Sequence, residues 1–150
     1  MSEDCIFCKI GQGEVPARIL YRDDTTFVVR DINPMAPTHL LVLPVEHVTY
    51  LASFTSEREA LLGHLALVAK EMAQREGLTE GGYRLVINQG PNSGQEVPHL
   101  HLHVLGGRRL GALVGPFDKF RTGIEDATPP GCHARGLARN DDGSTGMSLQ

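Results

Sequence analysis

The chain has 150 residues, 41% hydrophobic and 21% charged, which is the make-up of one soluble globular domain. A formal net charge of −4 without a Lys/Arg stripe argues against extended nucleic acid, whose backbone is held mainly by clustered cations. No apolar run reaches membrane-span length, and Met1-Ser2-Glu3-Asp4 is acidic where a secretory signal is basic. We therefore expect no membrane partner and a cytoplasmic location.

In chain order, Ile6, Phe7 and Ile10 within residues 4–10, stopped by Gly11-Gln12-Gly13, predict a short helix. Ala17 to Tyr21 and Thr25 to Ile32 predict two strands around the turn Arg22-Asp23-Asp24. Side chains alternate on a strand, so Phe27, Val29 and Asp31 share a face. Pro34 and Pro37 break the chain before a third strand, His39 to Val45. Ser56 and Glu59 read as a capping box opening a long helix that ends before Gly77. Its apolar stripe is Leu61, Leu65, Val68 and Met72, flanked by Leu62, Ala66, Ala69 and Ala73, and should cover a sheet. Tyr83 to Asn88 and His99 to Leu105 predict two more strands, joined by the Gly/Asn/Pro-rich connection Gln89 to Pro98. The order predicts an α+β domain, a mostly antiparallel five-stranded sheet with one long and one short helix. Residues 1–115 form this domain, and 116–150, with Pro129-Pro130 and little apolar periodicity, read as a disordered extension.

The informative segment is His99-Leu100-His101-Leu102-His103-Val104-Leu105. On a strand its three histidines face one way and Leu100, Leu102 and Val104 the other. Alternate residues lie about 6.6 Å apart, so a phosphate-sized group can touch two imidazoles at once. A single histidine is usually an ordinary surface or core residue, but three in strict alternation with aliphatics point to a site. His-x-His on a strand also suits a catalytic metal, which needs a further ligand and an open position. Glu96 is the only acidic residue close in sequence, and it lies in the loop.

Cys5-Ile6-Phe7-Cys8 carries two of the three cysteines and is no disulfide framework. As a zinc-knuckle half-site it needs two more ligands. A thioredoxin-type redox motif would need a preceding strand, and only four residues precede Cys5.

The stretch from Gly94-Gln95-Glu96-Val97-Pro98 through His99-Leu100-His101-Leu102-His103 to Gly106-Gly107-Arg108 resembles the signature of the histidine-triad superfamily. Its Gly-Gly-Arg ending is similar to the Hint branch rather than the Fhit branch. The resemblance runs from Cys5 to about Gly115 and takes in Asp31-Ile32-Asn33-Pro34, Ala36-Pro37-Thr38-His39 and Asn88.

The resemblance implies a hydrolase of purine nucleoside phosphoramidates or acyl nucleotides that releases AMP or GMP through a nucleotidyl-histidine. His101 would be the nucleophile, since imidazole both attacks phosphorus and leaves well, splitting one hard displacement into two easier ones. His103 and His39 would bond phosphate oxygens or leaving-group atoms. A backbone carbonyl of the triad strand, or another close group, should fix the His101 tautomer. Loop residues 90–94, Gln95 and Val97, with Asn88, would approach the phosphate through N–H groups. Glu96 stands where many eukaryotic relatives carry a serine and bacterial-type members a glutamate; it acts as general acid only if burial or a neighbouring charge raises its pKa. Ile6, Phe7, Ile10, Val29, Ile32 and Leu41 would surround the base, although each alone is more often core than pocket. Asp31 would accept hydrogen bonds from both ribose hydroxyls.

The resemblance also implies that His47 and His99 complete a structural Zn2+ site with Cys5 and Cys8, and that the protein is a homodimer. Four protein ligands leave no open position, so such a zinc braces the fold. Two other readings stay open from sequence: a nucleotide sensor or scaffold with little turnover, and a dinucleoside polyphosphate hydrolase or nucleotidylyltransferase. Retention of all three histidines with Asn88 favours catalysis over mere binding. The Gly-Gly ending, and a histidine where the transferase branch has glutamine, argue against the last two.

Overall fold

The computed structural model describes residues 4–114, and the expected 116–150 extension lies outside them. Helix α1 (Ile6–Gln12) is followed by strands β1 (Ile19–Arg22), β2 (Thr26–Arg30) and β3 (Thr38–Pro44), helix α2 (Glu59–Arg75), and strands β4 (Tyr83–Ile87) and β5 (Leu102–Gly106). The strands form one five-stranded sheet in the order β1-β2-β3-β5-β4, each neighbouring pair antiparallel. The α+β class and the helix count agree with the sequence expectation. All these elements fall within the compact unit Met1–Gly111.

Alternation on the three central strands divides the apolar residues between two faces. On one face Val28, Leu40, Val42, Leu100, Leu102 and Val104 pack under Leu65, Val68, Ala69, Met72 and Ala73 of α2. On the other, Phe27, Val29, Leu41 and Leu43 join Cys5, Phe7 and Cys8 from α1 and its start. The histidines of 99–103 therefore lie on the α1 side while their leucine neighbours fill the α2 core, as the alternation requires.

Local details depart from the sequence expectation. The strand expected from His99 is assigned only from Leu102, because Leu100 N–H donates instead to Val48 O at 2.6 Å. No capping box forms: Ser56 opens a 3-10 turn, Ser56–Arg58, that runs into α2 at Glu59, and neither start has a side-chain cap. Ala66 is exposed rather than part of the stripe, which narrows to the five α2 residues named above. Gly106 and Gly107 end β5 in close quarters. A Cβ on Gly106 would sit 2.9 Å from Leu78 Cδ1, and one on Gly107, at φ +93°, would sit 2.9 Å from Pro37 Cβ.

Candidate active site

Antiparallel pairing sets β3 beside β5, with Leu41 opposite His103 and His39 opposite Leu105. His39 and His103 thus project from adjacent strands on the same face, their rings 5.1 Å apart, and His101 lies 4.8 Å from His103. Phe7 of α1 closes the group edge-on, 5.3 Å from the His101 ring and 5.8 Å from that of His99.

The protons on these rings follow from their partners. Met35 N–H can only donate, so His39 Nδ1, 3.1 Å away, accepts. Burial, partly opposed by the Asp31 carboxylate, lowers the His39 pKa and keeps the ring neutral. Its single proton is therefore on Nε2, which donates to His103 Nδ1 at 2.8 Å and lies 3.4 Å from Asp31 Oδ2. His103 must then carry its proton on Nε2. Burial, with a lesser push from neighbouring His101, lowers its pKa to about 4, so it too is neutral near pH 7. That Nε2 is buried and has no hydrogen-bond partner among the described residues. A buried donor without an acceptor is costly, and a ligand oxygen would relieve it.

The same reasoning fixes the next two rings. The His99 carbonyl can only accept, so His101 Nδ1, at 2.7 Å, carries the proton. His101 Nε2 is left with its lone pair and no partner among the described residues. Pro44 O accepts from His99 Nε2 at 2.9 Å, which leaves His99 Nδ1 as a free lone pair.

That lone pair points at sulfur. His99 Nδ1 lies 3.5 Å from Cys5 Sγ and 3.6 Å from Cys8 Sγ, and His47 Nδ1 lies 3.2 Å from Cys8 Sγ. All four ligand atoms fall within 4.8 Å of one another. A tetrahedral zinc with ordinary Zn–S and Zn–N lengths has S···N edges of about 3.6 Å. The residues present therefore fit that ion in both donor chemistry and spacing. Burial lowers the metal-free His99 pKa to about 4, which keeps the ring neutral as a ligand must be.

The remaining expected residues are placed unevenly. Phe7, Val29 and Leu41 sit in the buried α1-side cluster with Ile10 and Val97 against it, whereas Ile6 is half out at 42% exposure and Ile32 stands free at 91%. Asp31 Oδ1 accepts from Asn33 N–H at 2.8 Å. Asn88 is half-buried just past β4, and Glu96 is exposed. Gln95 spends its side chain on the protein: Oε1 accepts from Gly90 N–H at 2.9 Å, and Nε2 donates to Thr49 O at 3.0 Å and Val97 O at 3.3 Å. The roles of Met35 N–H and of the Pro44 and Thr49 carbonyls went unread in the sequence, because backbone groups leave no residue-type signal.

The HIT domain family matches residues 12–110. The purine nucleoside phosphoramidase of Escherichia coli K12 is 44% identical over 114 residues, covering 76% of this chain and 96% of that protein. An uncharacterized HIT-like protein of Synechococcus elongatus is 56% identical over 110 residues, covering 73% and 96%. Among solved structures, a HIT family hydrolase from Legionella pneumophila Philadelphia 1 superposes with a TM-score of 0.73 at 46% identity, covering 75% of this chain and all (100%) of that one. A histidine triad protein from Clostridium difficile gives 0.72 at 38% identity, covering 75% and 97%. With its histidines on one sheet face and the domain matched almost end to end, the chain belongs to the HIT family.

Proposed function

We propose that the protein hydrolyses purine nucleoside phosphoramidates or acyl nucleotides, releasing AMP or GMP through a nucleotidyl adduct on His101. The observation that carries this reading is the pair of complementary ring nitrogens. His101 Nε2 presents a lone pair, and His103 Nε2–H, on the next ring along the same face, lacks an acceptor. Nucleophile and oxyanion donor are thus held side by side, as displacement at phosphorus needs. The activity printed for the Escherichia coli relative is in accord with it.

In the first step His101 Nε2 attacks the α-phosphorus and the P–N or P–O bond to the leaving group breaks, an amine departing with a proton taken from solvent and an acyl group departing as its carboxylate. The His101 ring becomes positive, and the His99 carbonyl on its Nδ1–H stabilises that charge. His103 Nε2–H meets a phosphate oxygen, and His39 holds His103 in the donating tautomer. Water then attacks phosphorus and gives up a proton to solvent, the P–N bond to His101 breaks with its electron pair returning to Nε2, and the nucleoside monophosphate departs. Asp31 supplies acceptors for the ribose hydroxyls, and Phe7, Ile10, Val29, Leu41 and Val97, with Ile6 and Ile32 at the rim, bound the base. Glu96 is exposed and would meet a departing group rather than the phosphate. Asn88 would face the developing charge together with the Glu96 and Val97 N–H groups, because the Gly90, Ser93, Gly94 and Gln95 N–H groups of the loop are bonded within it.

Cys5, Cys8, His47 and His99 would hold a structural zinc, which would neutralise the two thiolates and cross-link the start of α1 to His47 and the triad segment. The protein acts in the cytoplasm as a homodimer; among the described residues no helix is long and apolar enough to cross a membrane.

Intact-protein mass spectrometry after brief mixing with an adenosine phosphoramidate tests the reading. Wild type should show an adenylyl adduct and accumulate AMP, and His101→Ala should show neither. Undiminished AMP release by His101→Ala would remove the mechanism.

A further inference from the structure

Gln95 is the best-connected side chain of the connection between β4 and β5. Its one amide bonds three separate stretches: Gly90 at the start of the loop, Val97 at its end, and Thr49 in the segment before α2. Its own backbone N–H also reaches Gly90 O, at 3.4 Å, so Gly90 and Gln95 close a ring from both sides. Gly90 sits at φ +75°, ψ −177°, a conformation that only glycine takes without strain, so the ring has little freedom to relax in another way. At the other flank Gln89 Oε1 accepts from Ala52 N–H at 3.0 Å. The two glutamines tie both ends of the loop to residues 49–52.

This bonding leaves the next two backbone donors open. Ser93, Gly94 and Gln95 N–H are taken within the loop, whereas Glu96 and Val97 N–H meet no acceptor among the described residues. Gln95 Nε2 holds the Val97 carbonyl, which also takes His99 N–H at 2.9 Å. One amide therefore sets the orientation of the peptide units that lead into the histidine segment.

We propose that Gln95 is a positioning residue for this reaction, holding the Glu96 and Val97 N–H groups aimed at the phosphate without itself touching substrate. The inference rests on the phosphoryl chemistry proposed above. Donors that act in the transition state must be preorganised, and displacement by about 1 Å costs on the order of 100-fold in rate.

Gln95→Met keeps the side chain's length and loses all three hydrogen bonds. On an adenosine phosphoramidate its kcat should fall 10- to 100-fold with KM changed less than threefold and zinc content as in wild type, in protein whose thermal midpoint is lowered by the lost hydrogen bonds but which stays folded at the assay temperature. Gly90 N–H should exchange with solvent faster in the variant. Gln95→Glu keeps the acceptor for Gly90 N–H but sets a carboxylate against two carbonyls, so it should recover Gly90 protection and not kcat. A KM rise with unchanged kcat would overturn the proposal, because Gln95 would then be binding substrate. Wild-type kcat in Gln95→Met would overturn it too. If wild type turns nothing over, the functional reading fails by itself; AMP affinity then decides, since a brace on phosphate donors predicts about two- to threefold weaker AMP binding in Gln95→Met. Equal AMP binding by both proteins, or none by wild type, overturns the proposal.

Discussion

His99 serves two partners through two different parts of itself: its carbonyl takes the His101 Nδ1 proton at 2.7 Å, while its ring aims Nδ1 at Cys5 and Cys8. One residue so joins the candidate nucleophile to the candidate metal centre. The carbonyl fixes which His101 nitrogen is free to attack, and the ring fixes where that carbonyl sits.

The strength of this link is limited by a second anchor. Leu100 N–H donates to Val48 O at 2.6 Å, so the backbone between His99 and His101 is held even without the ring. Chelation of zinc should therefore lower stability more than turnover. We expect a thermal midpoint on the order of 10 °C lower after zinc removal, with kcat reduced only a few-fold, since a kcal/mol shifts a domain of this size by about 3–5 °C. Calorimetry and metal analysis of wild type and Cys8→Ser check it. Protein carefully purified and found free of zinc, yet equally stable, would remove the metal reading.

The His103 donor gives a sharper rate effect. Removing one preorganised oxyanion donor costs about 100- to 1,000-fold in kcat. His103→Ala should lose that much, with nucleotide affinity falling less. His39→Ala should cost less than His103→Ala, because it removes the group that holds the tautomer and leaves the donor itself. Steady-state kinetics of both variants, with circular dichroism to confirm folding, would show the order.

Much of this was legible because it is periodic. Histidines alternating with leucines can only separate onto two faces of a strand, and the spacing in α2 showed Leu65, Val68 and Met72 as core. The candidate metal cluster was half legible: Cys5 and Cys8 announce themselves by spacing, whereas His47 and His99 join them only through tertiary folding and came from the family resemblance. The capping box failed because Ser56 entered a 3-10 turn, an alternative start that satisfies the same N–H groups. Gln95 looked like a substrate contact from its place in the loop. Only the structure gives the direction of its amide, and a flexible polar side chain has no period to reveal it. Ile32 and Phe7 hold equal places in the resemblance, and the sequence does not show that one would be 91% exposed and the other 8%.

The neutral histidines give a pH dependence of defined sign. His103 titrates at about 4 in the fold against an ordinary value of 6.5, chiefly because it is buried. Between those values the unfolded chain binds a proton that the native state refuses, so stability rises with pH across the window. It is fully present above pH 6.5 and is lost as pH falls toward 4; His39, lowered by burial as well, acts in the same direction. Urea unfolding from pH 4 to 8 should show this slope in wild type and a shallower one in His103→Gln. An equal slope in both would place the titration elsewhere.

The turn between β1 and β2 offers a test away from the histidines. The Asp23 carboxylate accepts from Tyr21 OH at 2.7 Å, His64 Nε2 at 2.7 Å, Thr25 N–H at 2.9 Å and Thr26 N–H at 2.8 Å, clasping the hairpin to α2. Burial alone would raise its pKa, but the hydrogen bonds from His64, Thr25, Tyr21 and Thr26 outweigh it and hold the pKa well below the usual carboxylate range. A carboxylate lowered in this way stabilises the fold above the unfolded value near 3.8, and that contribution is lost as the pH falls below it. Asp23→Ala strips the acceptor from Thr26 N–H, on a fully buried residue, and should cost about 1–3 kcal/mol. Asp23→Asn keeps an oxygen for the two backbone donors and should cost less. Neither should change kcat, because the clasp involves only the hairpin and α2. A large loss of turnover in stably folded Asp23→Asn would mean that the hairpin turn communicates with the histidines, against this separation of the two faces.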